Sequence, residues 1–202
     1  MLFRSALPAT EFYRQTLAGA ADDSVVIVSI GQFTALAGLL DSDADLVRQK
    51  VHALVSMACA FPEGREFNVF MDAPAAKRVF TEFPHPIICS GFEVGVDVLT
   101  GFAQRPQNAG RNPVFDAYRL YLEDETPLRP SWDLTAVQFA VEGPGKLYAL
   151  SEAIRIHIAE DGANRCEPWD GHGAPRFCLH RRVESTELAA HLSAALHASD
   201  QL

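Results

Sequence analysis

Apolar residues fall along the chain in two rhythms. Short, nearly unbroken apolar runs occupy residues 25–30, 53–58 and 86–90. Such runs read as strands buried on both faces of a sheet. Around them, spacing of three and four residues predicts helices over 10–20, 34–40, 46–52 and 73–83. Thr10 is placed to cap the first of these helices. Asp72 is placed to cap the last, with Pro74 in its opening turn. Strands alternating with helices predict an α/β fold with an open, mostly parallel sheet and helices on both faces. After Gly101 the texture changes. Residues 102–113 read as loop, 113–122 and 132–141 as helices, and 147–150 and 155–159 as strands. Turn signals stand at Gly143-Pro144-Gly145-Lys146 and Asp161-Gly162. A small ribbon over 164–182 and a closing helix over 186–198 complete the pattern. No repeat or low-complexity tract divides it, so residues 1–202 predict a single domain.

In an open α/β sheet, ligands sit at the carboxyl ends of the strands. Those ends carry Ile30-Gly31, residues 57–60 and Ser90-Gly91-Phe92-Glu93. The polar segment Glu63-Gly64-Arg65-Glu66-Phe67-Asn68 follows the second strand. Carboxylate and amide groups there suit hydrogen bonding to a polyol.

Composition narrows the class. With 48% hydrophobic and 21% charged residues the chain is ordinary globular protein. A net charge of −9 argues against general nucleic-acid binding, which needs clustered cations. No apolar run reaches the roughly 18 residues of a membrane span. Residues 1–8 lack the long apolar core of a secretory signal. Cys59, Cys89, Cys166 and Cys178 form no Cys-x-x-Cys pair, which fits free thiols in a reducing cytoplasm.

Several motifs carry little chemistry. Asp41-x-Asp43-x-Asp45 lacks the glycine and glutamate of a calcium loop, so it reads as a solvated cluster. Cys166, His172, Cys178 and His180 match no common zinc spacing and read as ribbon residues. There is no Gly-x-Ser-x-Gly elbow. On physical grounds Asp133 is an N-cap or first-turn acid of its helix. Its functional alternative is a metal ligand facing the cleft.

Four segments carry a resemblance. Glu66-Phe67-Asn68-Val69-Phe70-Met71-Asp72-Ala73-Pro74-Ala75-Ala76 resembles the signature of the inosine–uridine-preferring nucleoside hydrolases. Residues 28–37 are similar to that family's strand-Thr-Gly-Pro-Leu-Thr-Asn element. Val55-Ser56-Met57-Ala58-Cys59-Ala60 stands where it has Val-x-Met-Gly-Gly. Arg129-Pro130-Ser131-Trp132-Asp133-Leu134-Thr135-Ala136 resembles its late aspartate segment. The resemblance implies hydrolysis of the N-glycosidic bond of ribonucleosides, in purine and pyrimidine salvage. It implies a bound Ca²⁺ that holds the ribose hydroxyls and a water. By matching position, the resemblance implies that Glu66 and Asn68 contact ribose, Met57 lines its pocket, Phe67 packs near the sugar or the base, and Asp133 and the carbonyl of Ile30 are metal ligands.

The departures are as specific as the matches. The family's Asp-x-Asp-x-x-x-Asp-Asp cluster, which supplies the catalytic base and most metal carboxylates, has no counterpart in this sequence. The chain therefore reads as beginning after the family's first third, and its catalytic base is unassigned. Ca²⁺ takes six to eight oxygens, and the resemblance leaves one carboxylate and one carbonyl. Trp132 stands where family members carry a histidine that protonates the departing base, so leaving-group activation takes another route, such as aromatic stacking. Three readings stay open: an N-glycosyl hydrolase, a non-catalytic remnant or nucleoside-binding module, and one half of a split enzyme. An uncovered apolar strand edge predicts association of copies into a homo-oligomer.

Overall fold

The computed structural model describes residues 6–198; part of the leading segment weighed above as a possible signal lies outside them. Helix α1 (Ala9–Ala18) starts from Pro8 with no side-chain cap. Thr10, expected as its cap, lies inside the helix, because Pro8 fixes its own φ. Strand β1 (Val25–Ser29) follows. Helix α2 (Thr34–Lys50) joins the two helices expected at 34–40 and 46–52 into one run kinked at Asp43, whose φ is −144°. The Asp43 carboxylate accepts from Nε and Nη2 of Arg14, each at 2.9 Å. These bonds hold its carboxyl below the usual range. Asp41 and Asp45 pair with Arg78 and Arg48, so the three aspartates each face an arginine.

Strand β2 (Val51–Met57) comes next, then a two-residue strand β3 (Glu63–Gly64) and a short helix α3 (Phe67–Phe70). Helix α4 (Ala73–Glu82) has Asp72 as its cap, accepting from the Ala75 amide at 3.2 Å. Strand β4 (Ile87–Ser90), a single-turn helix α5 (Phe92–Gly95), β5 (Leu99–Gly101), α6 (Pro113–Leu122), β6 (Leu128–Pro130) and α7 (Trp132–Glu142) lead into the last part. That part holds β7 (Tyr148–Leu150), β8 (Ile154–Ile158), β9 (Asn164–Pro168), β10 (Arg176–Arg181) and α8 (Ser185–Ala198).

The main sheet runs β1-β2-β4-β10-β8-β9-β3, with β7 also paired to β10; β5 and β6 form a separate two-stranded ribbon. The first four strands are parallel neighbours, and the rest join antiparallel. Val28, Val55, Ile88 and Phe177 lie abreast across it. The C-terminal ribbon expected beside the sheet is thus continuous with it through β10.

The strand alternation feeds two cores. Leu54, Ile87 and Cys89 face a cluster that includes α1, α2 and α4 residues such as Leu17, Leu39 and Val79. Val55, Met57 and Ile88 face the other, with Ala136 and Phe139 of α7 and Leu188 of α8. Burying a side chain such as Leu54 or Ile87 is worth about 1.5–3 kcal/mol, so both faces of β2 and β4 are secured. Arg176 is only 4% exposed. Its guanidinium donates to the carbonyls of Phe80, Phe83, His85 and Ala174, which ties β10 to the turn after α4.

Candidate functional site

The carboxyl ends of β1 and β2 open on a cavity of about 560 Å³, within the ~300–1,000 Å³ usual for small-molecule sites. Ile30, Met57, Glu66, Phe67, Asn68 and Asp133 all line it. The six residues singled out in the sequence therefore meet in one hollow, although they span more than a hundred positions. Arg65, Phe70, Phe92, Tyr121, Arg129 and Trp132 complete the wall.

The floor is built by a backbone that turns sharply after β2. Cys59 is fully buried with φ +70°, a left-handed conformation that favours glycine. Its carbonyl accepts the Phe92 amide at 2.9 Å, which brings the start of α5 against the end of β2. Glu66 caps α3, its oxygens accepting the amides of Asn68 at 2.9 Å and Val69 at 3.3 Å. Asn68 in turn donates its side-chain nitrogen to the Met57 carbonyl at 3.0 Å and to its sulfur at 3.3 Å. That leaves the Asn68 amide oxygen as an acceptor at the cavity floor. Behind the floor, Thr34 Oγ1 donates to Asp72, and Ser90 and Thr135 join hydroxyls at 2.7 Å. These links lock α2 to α4 and β4 to α7.

Burial raises the Glu66 carboxyl above its ordinary value; the amides of Asn68, Val69 and Cys59 pull the other way, and the charge of Asp133 adds to the rise. Asp133 sits in the first turn of α7. Desolvation by the cavity wall raises its carboxyl as well, while Arg129 lowers it. The site thus holds two carboxylates of different standing. Glu66 is tied to backbone amides, whereas no side chain or amide of a described residue bonds Asp133.

One wall is aromatic. Phe92 and Trp132 stack with centroids 5.5 Å apart and 29° between planes, and Trp132 Nε1 donates to the Phe92 carbonyl at 3.0 Å. Phe67 and Phe70 meet edge to face at 5.4 Å. Arg65 lies 4.0 Å above the Phe70 ring and Arg129 4.4 Å above that of Tyr121. Of these, Trp132 is the stacking group that the sequence suggests. Phe92 and Arg129 stood in segments that the strand-end rule and the motif had marked. Arg65 stood in the polar segment after β2, but Tyr121, on a helix distant in sequence, gave no signal.

The donor set does not make a calcium site. Ca²⁺ needs six to eight oxygens. Asp133, the Asn68 amide oxygen and, by the family resemblance, the Ile30 carbonyl supply three at most, Glu66 is engaged as a cap, and the Arg129 charge acting on Asp133 opposes a second cation. Among the described residues no three His, Cys, Asp or Glu side chains are grouped to hold a metal ion.

The sheet, with its ligand hollow at the strand ends, defines an α/β protein of the doubly wound kind. The family model of the inosine-uridine preferring nucleoside hydrolases matches residues 4–175, and the chain belongs to that family. No curated protein matched the sequence. Among solved structures, a plant nucleoside hydrolase superposes with a TM-score of 0.70 at 19% identity, over 94% of this chain and 67% of that one. The inosine-uridine preferring nucleoside hydrolase of Bacillus anthracis gives 0.65 at 18%, over 96% and 67%. The purine-preferring ribonucleoside hydrolase of Gardnerella vaginalis gives 0.70 at 15%, over 98% and 68%. The likeness is one of fold, and this chain spans about two thirds of each. No helix among the described residues is long and apolar enough to cross a membrane.

Proposed function

We propose that the cavity binds a ribonucleoside and that the chain hydrolyses its N-glycosidic bond. The observation that carries this reading is the meeting of Met57, Glu66, Asn68 and Asp133 in one cavity, in a chain of the nucleoside hydrolase family. The ribose lies over Met57 and donates a hydroxyl to the Asn68 amide oxygen, which is aimed by the bonds from the Asn68 nitrogen to Met57. Glu66 holds the α3 turn in register and offers its remaining lone pairs to a ribose hydroxyl. The base stacks on the Phe92–Trp132 wall, where aromatic contact favours a planar leaving group.

Asp133 is the carboxylate free to take a proton. A water oxygen bonds to C1′ as the C1′–N bond breaks. One water proton passes to Asp133, and the departing base takes its proton from solvent at the cavity mouth. Positive charge develops on the sugar in such a step, and the ionised Asp133 stabilises it. No metal enters this scheme, because the donor set does not fit one.

The reading includes a reducing cytoplasm, supported by four thiols that are all free. It also includes association of copies through β1, a sheet edge with Val26 and Ile30 exposed. Free base released from inosine and uridine, measured by chromatography, tests the activity. Wild type is expected to release base, and Asp133→Asn to be slower by about 10²-fold or more. Nucleoside binding without any release would leave a binding module instead.

A further inference from the structure

The cavity holds two arginines that a neutral nucleoside gives no anionic partner. Arg65 and Arg129 both line it, and neither lies within ion-pair distance of a carboxylate among the described residues. This is notable in a chain with 26 acidic against 17 basic residues. Elsewhere Arg14, Arg48, Arg78, Arg155, Arg165 and Arg181 each have a carboxylate within 3.0 Å.

Both cavity arginines are positioned rather than loose. Arg65 donates Nε to the Asp161 carbonyl at 2.8 Å and rests on Phe70, which leaves its terminal nitrogens unengaged. Arg129 lies over the Tyr121 ring, 4.4 Å from its centroid. An arginine held over an aromatic ring keeps a forked set of donors at low entropic cost, the arrangement that suits a phosphate. The two cavity carboxylates do not cancel this. Glu66 is 5% exposed and turned to the amides of α3, and Asp133, which lines the same cavity, makes no ion pair with either arginine.

We infer that the cavity takes a 5′-phosphorylated ribosyl ligand, such as a nucleoside monophosphate, with Arg65 and Arg129 on the phosphate and with no divalent cation required. The inference rests on the ribonucleoside reading above and names its substrate class.

Tryptophan fluorescence titration of the full chain tests it, since Trp132 lies in the wall. The ligands are adenosine, adenosine 5′-monophosphate and ribose 5-phosphate, each in EDTA and again with Ca²⁺. The monophosphate is expected to bind about tenfold or more tighter than adenosine at low salt. That ratio should shrink to about twofold in Arg65→Ala/Arg129→Gln and should fall with added salt. Ribose 5-phosphate binding as well as the monophosphate would assign the gain to the phosphoribosyl group. Equal affinity for adenosine and its monophosphate in the wild type, or binding of the monophosphate only when Ca²⁺ is present, overturns the inference and leaves the ribonucleoside reading intact. Binding of none of the three ligands overturns both.

Discussion

Truncating Glu66 to alanine removes a carboxylate that the sequence marks as a ribose contact and the fold uses as a helix cap. Its oxygens accept the amides of Asn68 at 2.9 Å and Val69 at 3.3 Å, and Val69 is fully buried, so water cannot replace the lost acceptor there. Hydrogen bonds to a charged group are worth about 1.5–3 kcal/mol each, and a cap lost to alanine about 0.5–2 kcal/mol. Burial holds the Glu66 carboxyl above its ordinary value, which offsets part of that gain. The expected net loss for Glu66→Ala is about 2–3 kcal/mol. Glu66→Gln keeps an acceptor and cannot ionise, so its loss should stay near 1 kcal/mol or below, about one neutral hydrogen bond.

The pH dependence gives a second, independent reading of the same residue. A folded-state pKa above the unfolded value means that the protonated form of Glu66 contributes the stability. That contribution is complete below the unfolded value of about 4.3 and is lost as pH rises through the folded value. The wild type should therefore weaken relative to Glu66→Gln between about pH 4 and pH 7. Urea unfolding at both pH values measures this, with nucleoside affinity taken on the same samples. Glu66→Ala within about 0.5 kcal/mol of wild type, or a wild type that gains on Glu66→Gln as pH rises, would refute the reasoning.

Other sites give outcomes of their own. The acid limb of kcat/KM should follow Asp133 and lie above an ordinary aspartate; Arg129→Gln should move it higher still, because Arg129 lowers that carboxyl, and a limb unmoved by Arg129→Gln would separate the two residues. Cys59→Gly should shift stability by less than about 1 kcal/mol, since relief of left-handed strain balances the lost thiol, whereas Cys59→Val should lose about 2 kcal/mol or more; thermal unfolding distinguishes them. Arg176→Ala should lose about 3–5 kcal/mol and Arg176→Lys should rescue little, because a compact ammonium cannot span the carbonyls of Phe80, Phe83, His85 and Ala174; chemical denaturation of both variants checks it.

The parts of the fold that could be read from the sequence are those with a strong local cause. The apolar stretches at Val51–Met57 and Ile87–Ser90 are buried, and a covered strand accommodates them; the β-branched run at Val25–Ser29 is a strand as expected but not one buried on both faces, because it forms the sheet edge, where Val26 is exposed and only Ile27 is buried. Asp72 before Ala73-Pro74 is a local signal and became a real cap. The elements that escaped are short and held by distant partners. The four residues of α3 form because Glu66 caps them and Asn68 reaches back to Met57, and β3 exists because Glu63 and Gly64 meet Arg165 and Asn164. Such contacts leave no period in the sequence. The kink at Asp43 read as a gap between two helices because polar residues there bond Arg14, 29 positions away, instead of continuing the pattern.

The site divides in the same way. Its floor lies in contiguous motifs at the strand ends, so Met57, Glu66, Phe67 and Asn68 were visible. Its aromatic and cationic wall draws Tyr121 from α6 and Arg129 from β6, whose meeting depends on how the segment 102–131 folds back over the sheet. Cys59 shows the limit from the other side. A backbone that needs φ +70° is a property of the turn; the cysteine itself carries no mark of it, and only the glycine that the family has at that place points to it.

The account stands on a ribosyl group seated between Asn68 and Asp133 with its base on the Trp132 wall. A crystal structure of Asp133→Asn soaked with inosine measures that directly. Sugar density over Met57 and Asn68, with the purine ring stacked against Phe92 and Trp132, is the result predicted. Inosine bound at another surface, with this cavity holding only solvent at saturating concentration, would contradict it.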